Sequence, residues 1–266
     1  HGFGCSRFTS SKNDVQASVL TFVPMNDTCE VSQLKLTNNS SEEKTLSVFS
    51  YVEWCLWNAD DDSRNFQRNY STGEVEVVGS TIFHKTEYRE RRNHYAIYSV
   101  NAEIAGFDTI REAFLGSYRG AYEPEAVEKG ACTNSMASGW QPIASHQLNI
   151  TLAPGETKSY VFVLGYIENP EEEKWESYGV INKTRAYAML DRYKTDADVE
   201  KAFAELNDYW KKLLSKYTVK SSNDKVDRMV NIWNQYQCMV TFNMSRSASY
   251  YESGIGRGMG FRDSCQ

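Results

Sequence analysis

The chain has 266 residues, of which 41% are hydrophobic and 24% are charged, a balance that predicts a globular protein with one large domain or two smaller ones. Its net charge of −6 at pH 7 argues against partners such as nucleic acid or an anionic membrane surface, which need a basic face. No apolar run is long enough to cross a membrane, and the first residues lack the features of a signal peptide. We therefore expect a cytoplasmic protein, and the missing start methionine leads us to expect a chain truncated at both ends.

The first 168 residues have the patterns of β-strands separated by turns. In the segment "HQLNITLAPGETKSYVFVLGY", apolar residues alternate with polar ones up to Leu152, and Pro154 with Gly155 predicts a turn. The run Tyr160–Leu164 is apolar on both faces, as in a central strand. Short strands with turn signals between them predict a mainly antiparallel β-sandwich.

Two other parts of this region differ in regularity. The segment "GEVEVVG" alternates valine with glutamate, which predicts a strand with a buried side and a solvent-facing side that carries Glu76. Residues 106–141 lack a clear period and predict a long loop region. Long ordered loops on a sandwich are often functional.

The hydrophobic period changes near Asn169–Pro170 from that of strands to that of helices. Residues 171–194 predict one helix, with the acidic run Glu171–Glu173 in its first turn, where the helix dipole favours negative charge. Thr195 and Asp198 predict a capping box that begins a second helix. Its apolar stripe consists of Val199, Phe203, Leu206, Trp210, Leu213 and Tyr217.

A third helix is predicted to begin at Ser222 or Asn223. Its apolar stripe includes Val226, Met229, Trp233, Tyr236 and Val240. Strands followed by helices favour two segregated units over an alternating α/β sheet. We therefore predict a β-sandwich domain at residues 1–168, a helical linker at 169–221, and the start of a further helical domain at 222–266.

The chain closes with the glycine-rich segment "SASYYESGIGRGMGFRDSCQ", Ser247–Gln266, which we call the terminal segment. Its alternate glycines would let a ligand approach the backbone closely. No strand precedes it and it has no GK[ST] sequence, so the nucleotide-binding motifs are excluded. An arginine fork beside a carboxylate suits vicinal hydroxyl groups, and arginine also suits phosphate, which makes Arg257, Arg262 and Asp263 candidate ligands. The alternative for these residues is a buried ion pair that braces a loop.

Histidine and cysteine give no sign of a metal or a redox centre. The four histidines show no HExxH or related spacing, so no metal site is predicted. The six cysteines contain no CxxC pair, and we expect reduced thiols. No G-x-S-x-G motif of a serine nucleophile is present.

Several long motifs resemble one known family. The terminal stretch "RSASYYESGIGRGMGFRDSCQ" resembles the signature of the cellobiose phosphorylases of glycoside hydrolase family 94, formerly glycosyltransferase family 36. The stretches "YVEWCLWNADDDSRNFQRN", "EVEVVGSTIFHKTEYRERRNHYA", "NAEIAGFDTIREAFLGSYRG" and "LAPGETKSYVFVLGYIENP" resemble it as well. The resemblance covers essentially the whole chain.

The resemblance implies a fold and a reaction. An N-terminal β-sandwich would be followed by linker helices and an (α/α)6 barrel, of which residues 222–266 would supply the first helix and a substrate loop. The reaction would be inverting phosphorolysis, in which cellobiose and inorganic phosphate give α-glucose 1-phosphate and glucose. The resemblance implies no cofactor and no metal, because phosphate is itself a substrate. It also implies a homodimer.

The resemblance also implies roles for individual residues. Arg257 and Asp263 would hold hydroxyl groups of the glucosyl unit, and Arg246 would contact phosphate. Arg68 lies in a loop that could reach the active site of the other subunit. The general acid, an aspartate, would lie downstream of Gln266, so this fragment alone should be inactive.

Two alternatives stay open. The first is a related phosphorylase that acts on chitobiose, a cellodextrin, laminaribiose or cellobionate. The second is a non-catalytic sandwich that binds carbohydrate or mediates dimerisation.

Overall fold

The structure is a computed structural model that describes residues 1–54, 74–85, 93–139 and 142–244 and, for the backbone, 248–249 and 259–260. Side chains are described as far as Val240. The chain forms two compact units, His1–Phe203 and Ala204–Gln266. The domain boundaries predicted after residues 168 and 221 remain predictions.

The first unit is mainly β structure. In the described ranges its first strands are β1 (Cys5–Lys12), β2 (Val15–Phe22), β3 (Cys29–Asn38), β4 (Lys44–Phe49), β5 (Val52–Glu53), β6 (Glu74–Val78), β7 (Thr81–Lys85), β8 (His94–Val100) and β9 (Gly106–Ile110). There follow the short helices α1 (Arg111–Leu115) and α2 (Glu125–Lys129) and the long strands β10 (Pro142–Leu152) and β11 (Thr157–Glu168). The last elements are β12 (Trp175–Ser177), β13 (Val180–Ile181) and α3 (Thr184–Leu190), and α4 (Asp196–Leu214) begins in this unit.

Two antiparallel sheets form the sandwich. The larger sheet has the strand order β1-β2-β3-β11-β8-β7-β6. In the smaller sheet, β10 pairs with β4, β5 and β9. The core between the sheets contains Leu34, Leu36, Ile82, Tyr98 and Phe162 from the larger sheet and Ala144, Leu148, Ile150 and Leu152 from the smaller one. The predicted fold class, a mainly antiparallel β-sandwich followed by helices, is confirmed.

Strand β11 is the central strand of the larger sheet, as its doubly apolar sequence predicted. It pairs with β3 on one side and β8 on the other. The predicted turn before it is present, with Gly155 at a φ of +74°. The turn does not join neighbouring strands, however, because β10 and β11 belong to different sheets.

The prediction of a long loop at residues 106–141 was wrong in part, since β9 and the helices α1 and α2 lie within it. The remaining loop is fixed by the buried carboxylate of Asp108. This group accepts hydrogen bonds from the backbone N–H and the hydroxyl group of Thr133 and of Ser135, at 2.6–3.1 Å. Four donors around one buried carboxylate leave this loop little freedom.

The prediction of one helix over residues 171–194 was wrong in its first half. Glu171–Glu173 forms a single 3₁₀ turn, and β12 and β13 then make a hairpin. The reason is local: Gly179 has a φ of +71°, which turns the chain, and Val180 and Ile181 are β-branched. The helix forms only from Thr184, as α3.

The predicted second helix, α4, is confirmed together with its capping box. Asp198 accepts hydrogen bonds from the N–H and the hydroxyl group of Thr195, whose oxygen accepts from the Asp198 N–H. Within the stripe, Val199, Leu206 and Trp210 are buried. Tyr217 is 59% exposed, because the helix ends at Leu214 before reaching it.

The outer face of the larger sheet is covered by helices. A Cβ atom on Gly165 of β11 would lie 2.7 Å from Met189 Sδ of α3 and 2.9 Å from Ile97 Cγ1. The absence of a side chain at this position therefore sets how closely α3 can approach the sheet. Near the start of α4, Asp196 accepts hydrogen bonds from Gln33 and Ser159, each at 2.7 Å.

We predict that Gly165→Ala lowers the free energy of unfolding by about 1–3 kcal/mol, because the added methyl group overpacks the contact between β11 and α3. Urea unfolding monitored by circular dichroism measures the change. Gly120→Ala is the matched control, since a Cβ there meets nothing within 4 Å. Equal stability of the two variants would contradict this account of the helix packing.

Candidate functional site

The side chains predicted to bind substrate lie outside the described residues. They are Arg68, Arg246, Arg257, Arg262 and Asp263. The described residues therefore neither bring these side chains together nor separate them. Within the terminal segment, the backbone of residues 248–249 and 259–260 is described.

The helix that leads to the terminal segment begins where it was predicted. Asn223 caps α5 (Asp224–Arg228) by accepting hydrogen bonds from the N–H groups of Lys225 at 3.0 Å and Val226 at 3.4 Å. The helix continues through a π-helical turn, Met229–Asn234, into α6 (Gln235–Met244). π-Helical turns inside longer helices occur frequently at functional sites.

Polar contacts hold the preceding segment against this helix within the second unit. The Asn231 amide accepts from the Val219 N–H at 2.6 Å and donates to the Val219 carbonyl at 2.7 Å. One face of the helix is solvent-exposed, with exposed fractions of 46% for Val226, 51% for Met229 and 38% for Trp233. The predicted apolar stripe is thus present, and these three members of it are not buried.

Two short strands of the terminal segment pair with each other. β14 (Ala248–Ser249) pairs in parallel with β15 (Met259–Gly260), with Ala248 opposite Met259 and Ser249 opposite Gly260. Paired strands lie about 4.8 Å apart. Residues 248–249 and 259–260 therefore lie side by side.

A second group of charged residues lies in the first unit and was missed from the sequence. Glu76, predicted to face solvent, is half-buried and accepts from Lys183 at 2.5 Å, Lys85 at 3.1 Å and the Ile181 N–H at 3.0 Å. Burial by itself would raise the pKa of the Glu76 carboxyl, but the hydrogen bonds from these donors outweigh it and lower the pKa. Only the fold reveals this group, because its partners are far apart in sequence.

The two ammonium groups around Glu76 are already engaged. Lys85 also pairs with Glu74 at 2.9 Å and donates to the Gly179 carbonyl, and Lys183 donates to the Ile181 carbonyl at 3.0 Å. The group therefore anchors the β12–β13 hairpin to the sheet. It leaves no ammonium group free to hold phosphate.

The buried histidines are core residues. His84 stacks on Trp54 with ring centroids 5.3 Å apart, and burial lowers its pKa to about 3. Burial also lowers the pKa of His146, to about 4, while its Nδ1 lies 3.1 Å from the Ser50 hydroxyl oxygen. Both rings are neutral near pH 7, which does not suit proton transfer there.

In the described part of the chain, no three His, Cys, Asp or Glu side chains form a group that could hold a metal ion. Cys5, Cys29, Cys132 and Cys238 are free thiols there. Burial raises the pKa of Cys29 and Cys132 to about 12, so neither is a ready nucleophile. Among the described helices, none is both long and apolar enough to span a membrane.

Comparison with models of protein families assigns the chain to a family. Residues 1–196 match the model described as "Glycosyl hydrolase 94, supersandwich domain". The chain belongs to glycosyl hydrolase family 94. Residues 209–266, which include the terminal segment, match the "Glycosyl hydrolase 94 superfamily, catalytic domain". The family inferred from the motifs is thus confirmed.

Several relatives of this family 94 chain carry the names of phosphorylases. It is 30% identical to "N,N'-diacetylchitobiose phosphorylase" of Vibrio proteolyticus, with all of this chain and 32% of that protein aligned. It is 26% identical to "Solabiose phosphorylase" of Paenibacillus borealis, again over all of this chain and 32% of the relative. The chain thus spans about a third of the length of these curated relatives.

A solved structure supports the fold. A bacterial glucoamylase complexed with acarbose superposes with a TM-score of 0.53 at 12% identity, covering 91% of this chain and 30% of the glucoamylase. At this identity the likeness concerns the fold alone. It agrees with a sandwich followed by the first helices of an (α/α)6 barrel.

We predict that stability falls as the pH is lowered from 7 towards 4. The folded-state pKa values of His84 and His146, about 3 and about 4, lie below the value of roughly 6.5 for an unfolded chain. The unfolded chain therefore takes up protons first as the pH falls. The protonation of each histidine in the unfolded chain should lower the free energy of unfolding by about 2 kcal/mol at pH 5 relative to pH 8.

Urea unfolding at pH 8 and pH 5 measures this loss of stability. His84→Gln and His146→Gln should each make it smaller, and the exposed His1→Gln should leave it as it is in the unaltered chain. If both core variants lose as much stability between pH 8 and pH 5 as the unaltered chain does, these rings are not held neutral by burial.

Proposed function

We propose that the chain is part of an inverting disaccharide phosphorylase, which converts a β-linked disaccharide and phosphate into an α-sugar 1-phosphate and a free sugar. The observation that carries the proposal is the match of residues 209–266 to the family 94 catalytic domain. This range contains Arg246, Arg257 and Asp263. The phosphorylase names of several relatives support the reaction class.

Phosphorolysis and hydrolysis require different catalytic groups in the active site. An inverting glycosidase needs one carboxylic acid to protonate the leaving oxygen and one carboxylate to activate water. Phosphate is already an anionic nucleophile, so a phosphorylase needs the acid and a cationic site for phosphate. A phosphate oxygen bonds to the anomeric carbon as the glycosidic bond breaks, and the general acid protonates the oxygen of the departing sugar.

The terminal segment would supply one wall of this site. Arg257 and Asp263 would hold hydroxyl groups of the sugar whose bond is cleaved, and Arg246 would contact phosphate. The register of β14 and β15 supports one shared site. Arg246 and Arg257 each stand two residues before a member of the pair Ala248 and Met259. The two pairs of residues that follow these arginines so closely in sequence lie side by side, which supports a shared site for Arg246 and Arg257.

The remaining part of the site would come from residues after Gln266. The general acid is expected there, so the 266-residue chain alone should not catalyse phosphorolysis. The exposed face of α5 and the π-helical turn, with Val226, Met229 and Trp233, supports this arrangement. Further barrel helices would cover such an apolar face.

The substrate is a β-linked disaccharide, for which we propose cellobiose first. N,N'-diacetylchitobiose is the strongest alternative, because relatives with that activity in their names are 29–30% identical. Laminaribiose, cellobionate, cellodextrins and solabiose belong in the same comparison. We also propose a cytoplasmic homodimer that needs no cofactor, with Arg68 near the site of the other subunit.

We predict that Asp263→Asn lowers kcat/KM for phosphorolysis at least 100-fold, equivalent to about 2.7 kcal/mol, in a protein of the relatives' full length. The amide keeps the size of the carboxylate but loses acceptor strength towards the sugar hydroxyls. Sugar 1-phosphate formation from each candidate disaccharide measures it. Asp208→Asn, on the exposed side of α4, is the control and should retain full activity.

The disaccharide with the highest kcat/KM is identified as the preferred substrate. Unchanged turnover in Asp263→Asn would refute the sugar-binding role of that residue. Absence of phosphorolysis with every disaccharide of the panel would refute the proposed function itself.

A further inference from the structure

A cleft of about 850 Å³ opens in the first unit where α3 meets the larger sheet. The turn between β6 and β7, the end of β8, the middle of β11 and the helical segment of residues 187–194 line it. All of these elements lie within His1–Phe203, so the cleft belongs to one compact unit. Its volume is in the range of sites that hold small ligands.

The floor of the cleft is aliphatic. Val161 and Val163 of the sheet and Leu190 of α3 contribute to it. Across from the sheet, one face of the helical segment lines the cleft. It carries residues at positions i, i+3, i+4 and i+7, namely Tyr187, Leu190, Asp191 and Lys194. The cleft thus combines an apolar surface with a polar rim.

Most polar groups of the rim are already paired. The Asn101 amide donates to the Lys194 carbonyl at 2.8 Å and accepts from the Val161 N–H at 2.7 Å. The hydroxyl groups of Thr81 and Ser99 bond to each other at 2.7 Å. These bonds fix the shape of the cleft without using a ligand.

Two rim groups differ from the rest. Glu103 is exposed, and within the described residues its carboxylate makes no hydrogen bond or ion pair. Tyr187 is 40% exposed, its ring packs edge-on against Phe83, and its hydroxyl group has no described partner. Both groups are therefore free to bind a ligand that enters the cleft.

The charges of the cleft argue against an anionic ligand. Among the described lining residues, Lys194 is the one cation, and it is already paired with Asp191 at 2.5 Å. Glu103 then leaves the cleft with a net negative charge. A cation would gain little from a single exposed carboxylate. A neutral ligand with one apolar face and several hydroxyl groups fits both the floor and the rim.

We propose that this cleft binds a neutral β-linked oligosaccharide. The C–H face of a sugar ring lies on the aliphatic floor and against Tyr187, and its hydroxyl groups donate to the Glu103 carboxylate. The site goes beyond the proposed function, on which only the choice of the β-linkage rests. It gives the sandwich a sugar-binding role that involves no residue of the terminal segment.

Titration calorimetry of the 266-residue chain with cellotetraose and with chitotetraose, without phosphate, tests the site. We expect weak binding of at least one of them, with a Kd on the order of 1 mM. Tyr187→Ala should weaken it about tenfold and Glu103→Gln about fivefold. The controls Tyr178→Ala and Glu171→Gln replace exposed residues outside the cleft and should bind like the unaltered chain.

Because Tyr187→Ala also removes the contact with Phe83, Tyr187→Phe is measured alongside it. This variant keeps the ring and should lose two- to threefold in affinity. Absence of binding up to 10 mM, or equal affinities of Glu103→Gln, Tyr187→Ala and the controls, would overturn the proposal. None of these results depends on phosphorolysis, so a failure here is distinguishable from a failure of the proposed function.

Discussion

The close contact between β11 and α3 is the constraint on which the first unit depends. Gly165 lies in the central strand of the larger sheet, and its missing side chain lets Met189 of α3 pack directly on the backbone. The other face of the same sheet forms the sandwich core. The larger sheet is therefore covered on both faces, which explains why β11 is apolar on both of its sides.

Polar contacts then set where the helices lie on that sheet. Asp196 is held by Gln33 and Ser159 at one point, and Asn101 holds the carbonyl of Lys194 at another. Between such contacts α3 does not fill the whole space above the sheet, and the cleft remains beside it. The packing that stabilises the linker helices thus also shapes a surface that can take a ligand.

Local patterns in the sequence predicted the elements whose causes are local. The capping box of Thr195 and Asp198, the turn at Gly155 and the central position of β11 depend on neighbouring residues or on burial alone. The β12–β13 hairpin had a local signal in Gly179, Val180 and Ile181, which the helix-like composition of residues 171–194 obscured. The contacts of Glu76 were missed, because they depend on residues about 100 positions apart. The assignment of β10 and β11 to different sheets was equally invisible, since a turn sequence does not specify strand pairing.

For the candidate site, the residue types of the terminal segment suggested that it binds hydroxyl groups or phosphate. Only the family resemblance gave Arg246 a role in phosphate binding and gave Arg257 and Asp263 a role in sugar binding. No local pattern pointed to Glu103 or Tyr187, since a cleft arises from tertiary packing.

We propose above that the terminal segment belongs to a site for inverting phosphorolysis. Time-resolved NMR of the product formed by a full-length protein from disaccharide and phosphate tests it most directly. The first product should be the α-anomer of a sugar 1-phosphate, and none should form without phosphate. A β-anomer as the first product, or release of free sugars at the same rate without phosphate, would contradict it.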